Sequence, residues 1–256
     1  MKKKHLLKMS VIVLFAVACK NNTEKSEKQQ TEVEAKAQET TSATPLKDAL
    51  EARKKDFAAK ADEQKKQIYK EGIEAVAKSG IITQAKNVGD IAPDFTLTNA
   101  TGDSIKLQEL LKEGPIVLTW YRGGWCPYCN LTLKQLQNEL PNFKANGANL
   151  VALTPELPDK SLSTTEKNEL DFHVLSDIDN KIAKEYGIVF KLTDEVADIY
   201  NKSFGVDTYN GNDKNELPLA ATYIINKEGK IIYAFLDADY RNRAEPSELT
   251  KVLKNI

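Results

Sequence analysis

At 256 residues, 41% hydrophobic and 29% charged, the chain is long enough for one soluble core of roughly 150–200 residues plus extra segments. Its 36 Lys and Arg stand against 37 Asp and Glu, and without Lys2, Lys3, Lys4 and Lys8 the balance is 32 to 37, a net charge of −5. That balance builds no basic stripe for a phosphate backbone and argues against nucleic acid as a partner. His5 and His173 are the only histidines, and Cys19, Cys126 and Cys129 the only cysteines. A histidine-based triad would rest on His173 alone. A zinc site on Cys126, Cys129 and His173 would lack the second Cys or His pair of a zinc fold, so neither metal nor cofactor is expected.

Residues 1–18 read as a processing signal: a basic stretch at residues 2–4, then an apolar run over 9–18 too short to span a bilayer. Cys19 follows Ala16-Val17-Ala18, which resembles a bacterial lipobox. The resemblance implies cleavage before Cys19 and diacylation of its sulfur. The protein would then sit in the cell envelope, facing the periplasm or the exterior and held to the membrane by its lipid alone. An uncleaved anchor or a plain secretory signal are the other readings, and each leads to an oxidising compartment. Residues 19–44 have almost no large apolar side chain and cannot offset their chain entropy, as expected of a disordered tether.

Thr44-Pro45 reads as an N-cap followed by a first-turn proline, opening a helical arm over residues 45–80. Leu46, Leu50, Phe57, Ala61 and Ile68 form one stripe along it, interrupted by Gly72 and closed by Ser79-Gly80. A domain over residues 88–256 follows. It opens with a strand at 94–97, a turn at Thr101-Gly102-Asp103 and a helix at 107–111. Strands are expected at 115–121, 150–153 and 172–175, and an alternating hairpin pair at 222–225 and 230–235 turns at Gly229. Helices are expected at 128–146 (kinked by Pro141), 180–186, 194–204 and 249–253, with a surface helix or turn at 164–170 and a polar loop at 207–216. Alternating strands and helices closed by a hairpin argue a three-layer α/β sheet.

The stretch WYRGGWCPYCNLTL carries the chemistry. A strand ending in Cys-x-x-Cys and turning into a helix aims the first thiol, Cys126, at unpaired backbone N–H groups and the positive end of the macrodipole. Such settings favour the reactive thiolate. Arg122 is the only nearby cation; it either stabilises the thiolate and binds substrate, or is a solvated loop residue. Trp125 is a core residue or a shield for the pair. A functionless structural disulfide is the bland alternative, though so small a loop restrains little chain entropy.

The segments VGDIAPDFTL, VLTWYRGGWCPYC and ATYIINKEGKIIYAF resemble the alkyl hydroperoxide reductase / thiol-specific antioxidant superfamily, closest to its peroxiredoxin-like branch with a Cys-x-x-Cys. The resemblance implies a thioredoxin-like fold and a redox-active centre. Peroxiredoxins read P-x-x-x-T-x-x-C. Setting Cys129 on that cysteine puts Cys126 where the Thr stands and Arg122 where the Pro stands. The superfamily's substrate-polarising Arg, or the cis-Pro of its thioredoxin-type members, falls on Ala220, and Pro218 is two positions away. Two assignments follow. For a hydroperoxide substrate, Cys129 attacks and Cys126 resolves, with a thioredoxin-like electron donor. For a disulfide reductase of the envelope, as the glutaredoxin-like CPYC suggests, Cys126 attacks a protein disulfide and Cys129 resolves. A lipoprotein that only binds remains as a third reading.

Overall fold

The computed structural model describes residues 44–256, so the signal, the tether and the lipidation at Cys19 lie outside the described residues. The arm is two helices, α1 (Pro45–Lys60) and α2 (Glu63–Lys78), where the apolar stripe reads as one. Ala61 turns extended (ψ 144°), and Asp62 starts the second helix by accepting the Lys65 N–H at 2.8 Å. Polar caps broke the helix where apolar spacing alone would have continued it. Thr44 occupies the N-cap of α1, but the carboxylate of Glu245 does the capping, accepting the N–H groups of Leu46 (3.2 Å) and Lys47 (2.9 Å).

After the one-turn helix α3 (Ile81–Gln84), β1 (Thr96–Thr98) and β2 (Ser104–Lys106) form a small antiparallel hairpin leading into α4 (Leu107–Glu113). The fully buried β3 (Ile116–Trp120) then feeds α5 (Pro127–Ala145), which continues past Pro141 as one helix. Next come β4 (Asn149–Thr154), α6 (Pro158–Asn168), β5 (His173–Ser176) and α7 (Lys181–Glu185). The helix expected at 164–170 thus starts six residues earlier, on the first-turn proline Pro158.

Two short strands, β6 (Val189–Lys191) and β7 (Glu216–Pro218), pair antiparallel around α8 (Asp194–Phe204) and α9 (Val206–Asn210). Half of the polar loop read over 207–216 is therefore structured, in α9 and the start of β7: Val206 is buried and anchors α9, a helix too short to show periodicity. The chain ends with β8 (Thr222–Ile225), β9 (Ile231–Phe235) and α10 (Pro246–Leu253).

The main sheet has five strands in the order β5-β4-β3-β8-β9, parallel on the β3–β4–β5 side and antiparallel on the β3–β8–β9 side. Strand alternation gives each face its own core. Ile116, Leu118 and Trp120 pack with Leu107, Leu111 and Tyr186 on one side. Val117 packs with Leu136, Leu140 and Phe143 of α5 and Leu249 and Leu253 of α10 on the other. The result is the expected three-layer α/β architecture. Leu46 and Leu50 of α1 join a third cluster with Cys126, Tyr128 and Cys129, so the arm packs directly on the redox helix.

Candidate active site

β3 is central and buried, so the residues that leave its end are delivered to the top of the sheet, where α5 begins. Gly123 holds φ +150°, and a Cβ there would run into the Trp125 ring; a Cβ on Gly124 would run into Thr164. The paired glycines let the loop fold flat against its neighbours. Cys126 is the N-cap of α5 (φ −88°, ψ 116°), and Pro127 sets the first turn. The Cys126 carbonyl accepts from the N–H groups of Cys129 and Asn130, both at 3.1 Å.

Both sulfurs are free thiols and both are buried, Cys126 1% and Cys129 0% exposed. Cys129 Sγ faces the Arg122 backbone N–H at 3.5 Å and the Arg243 Nη2 at 3.6 Å. Burial works against ionisation of Cys129, but the Cys126 thiol, Arg243 and Arg122 outweigh it and hold Cys129 well below the ordinary thiol range. Burial and its bond to Cys129 push Cys126 well above that range. The two thiols are thus pushed in opposite directions, and the Arg122 N–H and Arg243 favour charge on Cys129, one turn deeper than the helix-mouth Cys126 to which the sequence points.

Arg122 is no solvated loop residue. It is 1% exposed, with its guanidinium carbon 3.9 Å from the Tyr240 ring centre, 5.0 Å from Trp125 and 5.1 Å from Tyr200. Three π faces hold the charge, while Nε and Nη1 carry no hydrogen bond. Trp125 is half-buried and stacks on Phe204 at 5.5 Å and against Tyr200 at 5.1 Å. Ala220 is buried between β7 and β8 and is not among the walls of the cleft at the thiols. The peptide bonds of the described residues include no cis bond. The cation expected from its strand position arrives instead from Arg243, on the segment after β9.

A second buried group borders the loop. Glu156, 0% exposed just beyond β4, accepts the Gly124 N–H at 2.8 Å and lies near Thr154 Oγ1 at 3.4 Å. Burial raises its carboxyl to about 7, with the Cys129 charge acting in the same direction. Sequence reading missed Glu156 and Arg243. A lone carboxylate directly after an apolar strand could have flagged Glu156, whereas nothing local could have tied Arg243 to a sulfur 114 positions earlier. Among the described residues, no group of three His, Cys, Asp or Glu side chains could hold a metal ion.

The dithiol opens onto a cleft of about 120 Å³, walled by Cys126, Trp125, Tyr128, Tyr200 and Tyr240 and by Phe57 and Tyr69 of the arm. Cys129 lies behind Cys126 and is not part of that wall.

A buried dithiol at the helix mouth of such a sheet defines a thiol oxidoreductase of the thioredoxin fold. The chain belongs to the AhpC/TSA family, which matches residues 88–234. The chloroplastic peroxiredoxin Q of Triticum aestivum is 26% identical over 184 residues, 70% of this chain and 72% of that protein. Peroxiredoxin Bcp of Escherichia coli K12 is 27% identical over 150 residues, 58% and 85% of the two chains. Among solved structures, peroxidoxin BcpB from Mycobacterium tuberculosis superimposes with a TM-score of 0.53 at 21% identity, over 66% of this chain and 97% of its own. Peroxiredoxin Q from Xanthomonas campestris gives 0.51 at 15% identity, over 66% and 97%. The arm precedes the region that the family matches.

Proposed function

We propose that the protein is a thiol peroxidase in which Cys129 attacks a hydroperoxide, Cys126 resolves, and a thioredoxin-like dithiol donor restores the pair. The observation that carries this reading is the convergence of the Arg243 side chain and the Arg122 N–H on Cys129 Sγ. A thiolate held there attacks the terminal oxygen of ROOH; the O–O bond breaks, leaving a sulfenic acid on Cys129 and an alkoxide. The alkoxide takes the Cys126 proton to become ROH. The Cys126 thiolate then displaces hydroxide from the sulfenic acid, closing the disulfide, and the hydroxide takes a solvent proton to become water. Arg122 lines the same cleft as a buried cation, which supports a role in binding the peroxide oxygens.

In this scheme the family's Thr and Pro positions are filled by the resolving Cys126 and by Arg122, and Arg243 supplies the cation that Ala220 cannot. The test is a sulfenate trap. Cys126→Ser treated with stoichiometric peroxide should label at Cys129, and Cys129→Ser should consume no peroxide. Full turnover in Cys129→Ser would overturn the assignment.

One observation favours a second reading, disulfide reduction in the envelope: Cys126 is the sulfur that meets the cleft. Its mark would be a mixed disulfide with a client protein that accumulates in Cys129→Ser and not in Cys126→Ser. Attachment by a lipid on Cys19 completes the proposal. Metabolic labelling with a radiolabelled fatty acid should mark the protein and fail in Cys19→Ala.

A further inference from the structure

The cleft above the dithiol is more elaborate than hydrogen peroxide requires. Seven of its walls are aromatic side chains from five separate segments: Phe57 from α1, Tyr69 from α2, Trp125 and Tyr128 beside the thiols, Tyr200 and Phe204 from α8, and Tyr240 after β9. The rings lock one another. Phe57 stacks on Tyr69 at 5.4 Å, Tyr69 meets Tyr200 edge-on at 5.7 Å, and Tyr200 contacts Trp125 and Phe204. Rings held this way present a fixed apolar surface with little entropy left to lose on binding.

The charge in the cleft is of one sign. Arg53, Lys65 and Arg122 contribute to its walls and no carboxylate does. Arg53 shares its charge with Asp56 at 2.6 Å, but Lys65 makes no ion pair among the described residues and stands over the Tyr69 ring at 6.0 Å. At the inner end, the 1%-exposed Arg122 lines the same space, its guanidinium enclosed by Trp125, Tyr200 and Tyr240. The cleft therefore has an apolar middle, a cationic mouth and a buried cation beside the sulfurs.

Size narrows the occupant further. A dry cavity of about 150 Å³ accepts one benzene ring, and this cleft is about 120 Å³ and open to solvent on one side. It holds a ring or a short branched chain rather than a long acyl tail.

We propose that the cleft is the binding site for a compact organic hydroperoxide bearing a carboxylate. The ring or branched chain packs among Phe57, Tyr69, Tyr200 and Phe204, the carboxylate meets Lys65 and Arg53, and the O–O end points past Cys126 toward Arg122 and Cys129. This rests on the peroxidase reading and adds to it a substrate class set mainly by the arm, which lies outside the family-matched region.

The test compares cumene hydroperoxide with its para-carboxylate on the reduced full chain, and measures calorimetric binding of the unreactive 4-isopropylbenzoate. The carboxylate should be favoured in kcat/KM by about fivefold, the worth of one partly exposed ion pair. Lys65→Ala should bring that ratio close to one, and Phe57→Ala should weaken 4-isopropylbenzoate binding about tenfold. Equal kcat/KM for the two peroxides, or a ratio untouched by Lys65→Ala, overturns the proposal, as does binding of neutral 2-phenyl-2-propanol as tight as that of 4-isopropylbenzoate. If no peroxide is consumed while 4-isopropylbenzoate still binds in a Lys65-dependent way, the peroxidase reading falls and the ligand class stands. If neither happens, both fall.

Discussion

Arg243 and Glu156 shape the thiol chemistry from opposite sides of the redox loop. The Arg243 guanidinium stands 3.6 Å from Cys129 Sγ. Arg243→Ala should raise the thiolate titration, read from ultraviolet thiolate absorbance, and slow peroxide consumption near neutral pH accordingly. Glu156 acts on stability. Its folded value of about 7 lies above the ordinary glutamate value of 4.5, so the unfolded chain loses this proton first as pH rises. Stability should therefore fall between about pH 4.5 and pH 7 and level off above, by on the order of 3 kcal/mol. Glu156→Gln keeps the acceptor for the Gly124 N–H and removes the ionisation. Urea unfolding of the mutant should show that slope flattened relative to wild type, and an unchanged slope would refute the assignment.

The elements show what local sequence can and cannot carry. The apolar run of β3 and the Cys-x-x-Cys that follows it were legible because both are contiguous. The break at Ala61-Asp62 and the β6–β7 pair were not, since a two-residue cap and three-residue strands leave almost no period to read. Gly72 is instructive. By spacing it only weakens a helix, yet a Cβ there would come within 2.8 Å of Val196 Cγ2, so the glycine is what lets α2 approach α8. Gly72→Ala should gain up to ~1 kcal/mol of helix propensity and lose more to overpacking, for a net cost of about 1 kcal/mol. Val196→Ala in the same chain should return most of it, a coupling that a double-mutant cycle measures directly. Glu245 makes the same point over a longer distance. Removing its carboxylate (Glu245→Ala) should cost about 1 kcal/mol and speed amide exchange in the first turn of α1, whose N–H groups it caps.

At the scale of the whole molecule, the three-layer sheet followed from strand order and the hairpin, while the active site depended on contacts between distant segments. Arg122 read as ambiguous because the two glycines that follow it in sequence say nothing of the rings from Tyr200 and Tyr240 that enclose it. The arm belongs to the same accounting. Leu46 is 0% exposed in the cluster that contains both thiols, so Leu46→Ala should cost about 3 kcal/mol of global stability in a single unfolding transition. The ring cage around Arg122 has one further effect. The π clouds stay with the cation when the neighbouring sulfur passes from negative thiolate to neutral bridge, but Arg122 and Arg243 both lose the anion beside them. The bridged interior thus carries charge that the reduced one compensates, and above the thiolate titration the reduced protein should denature at the higher urea concentration.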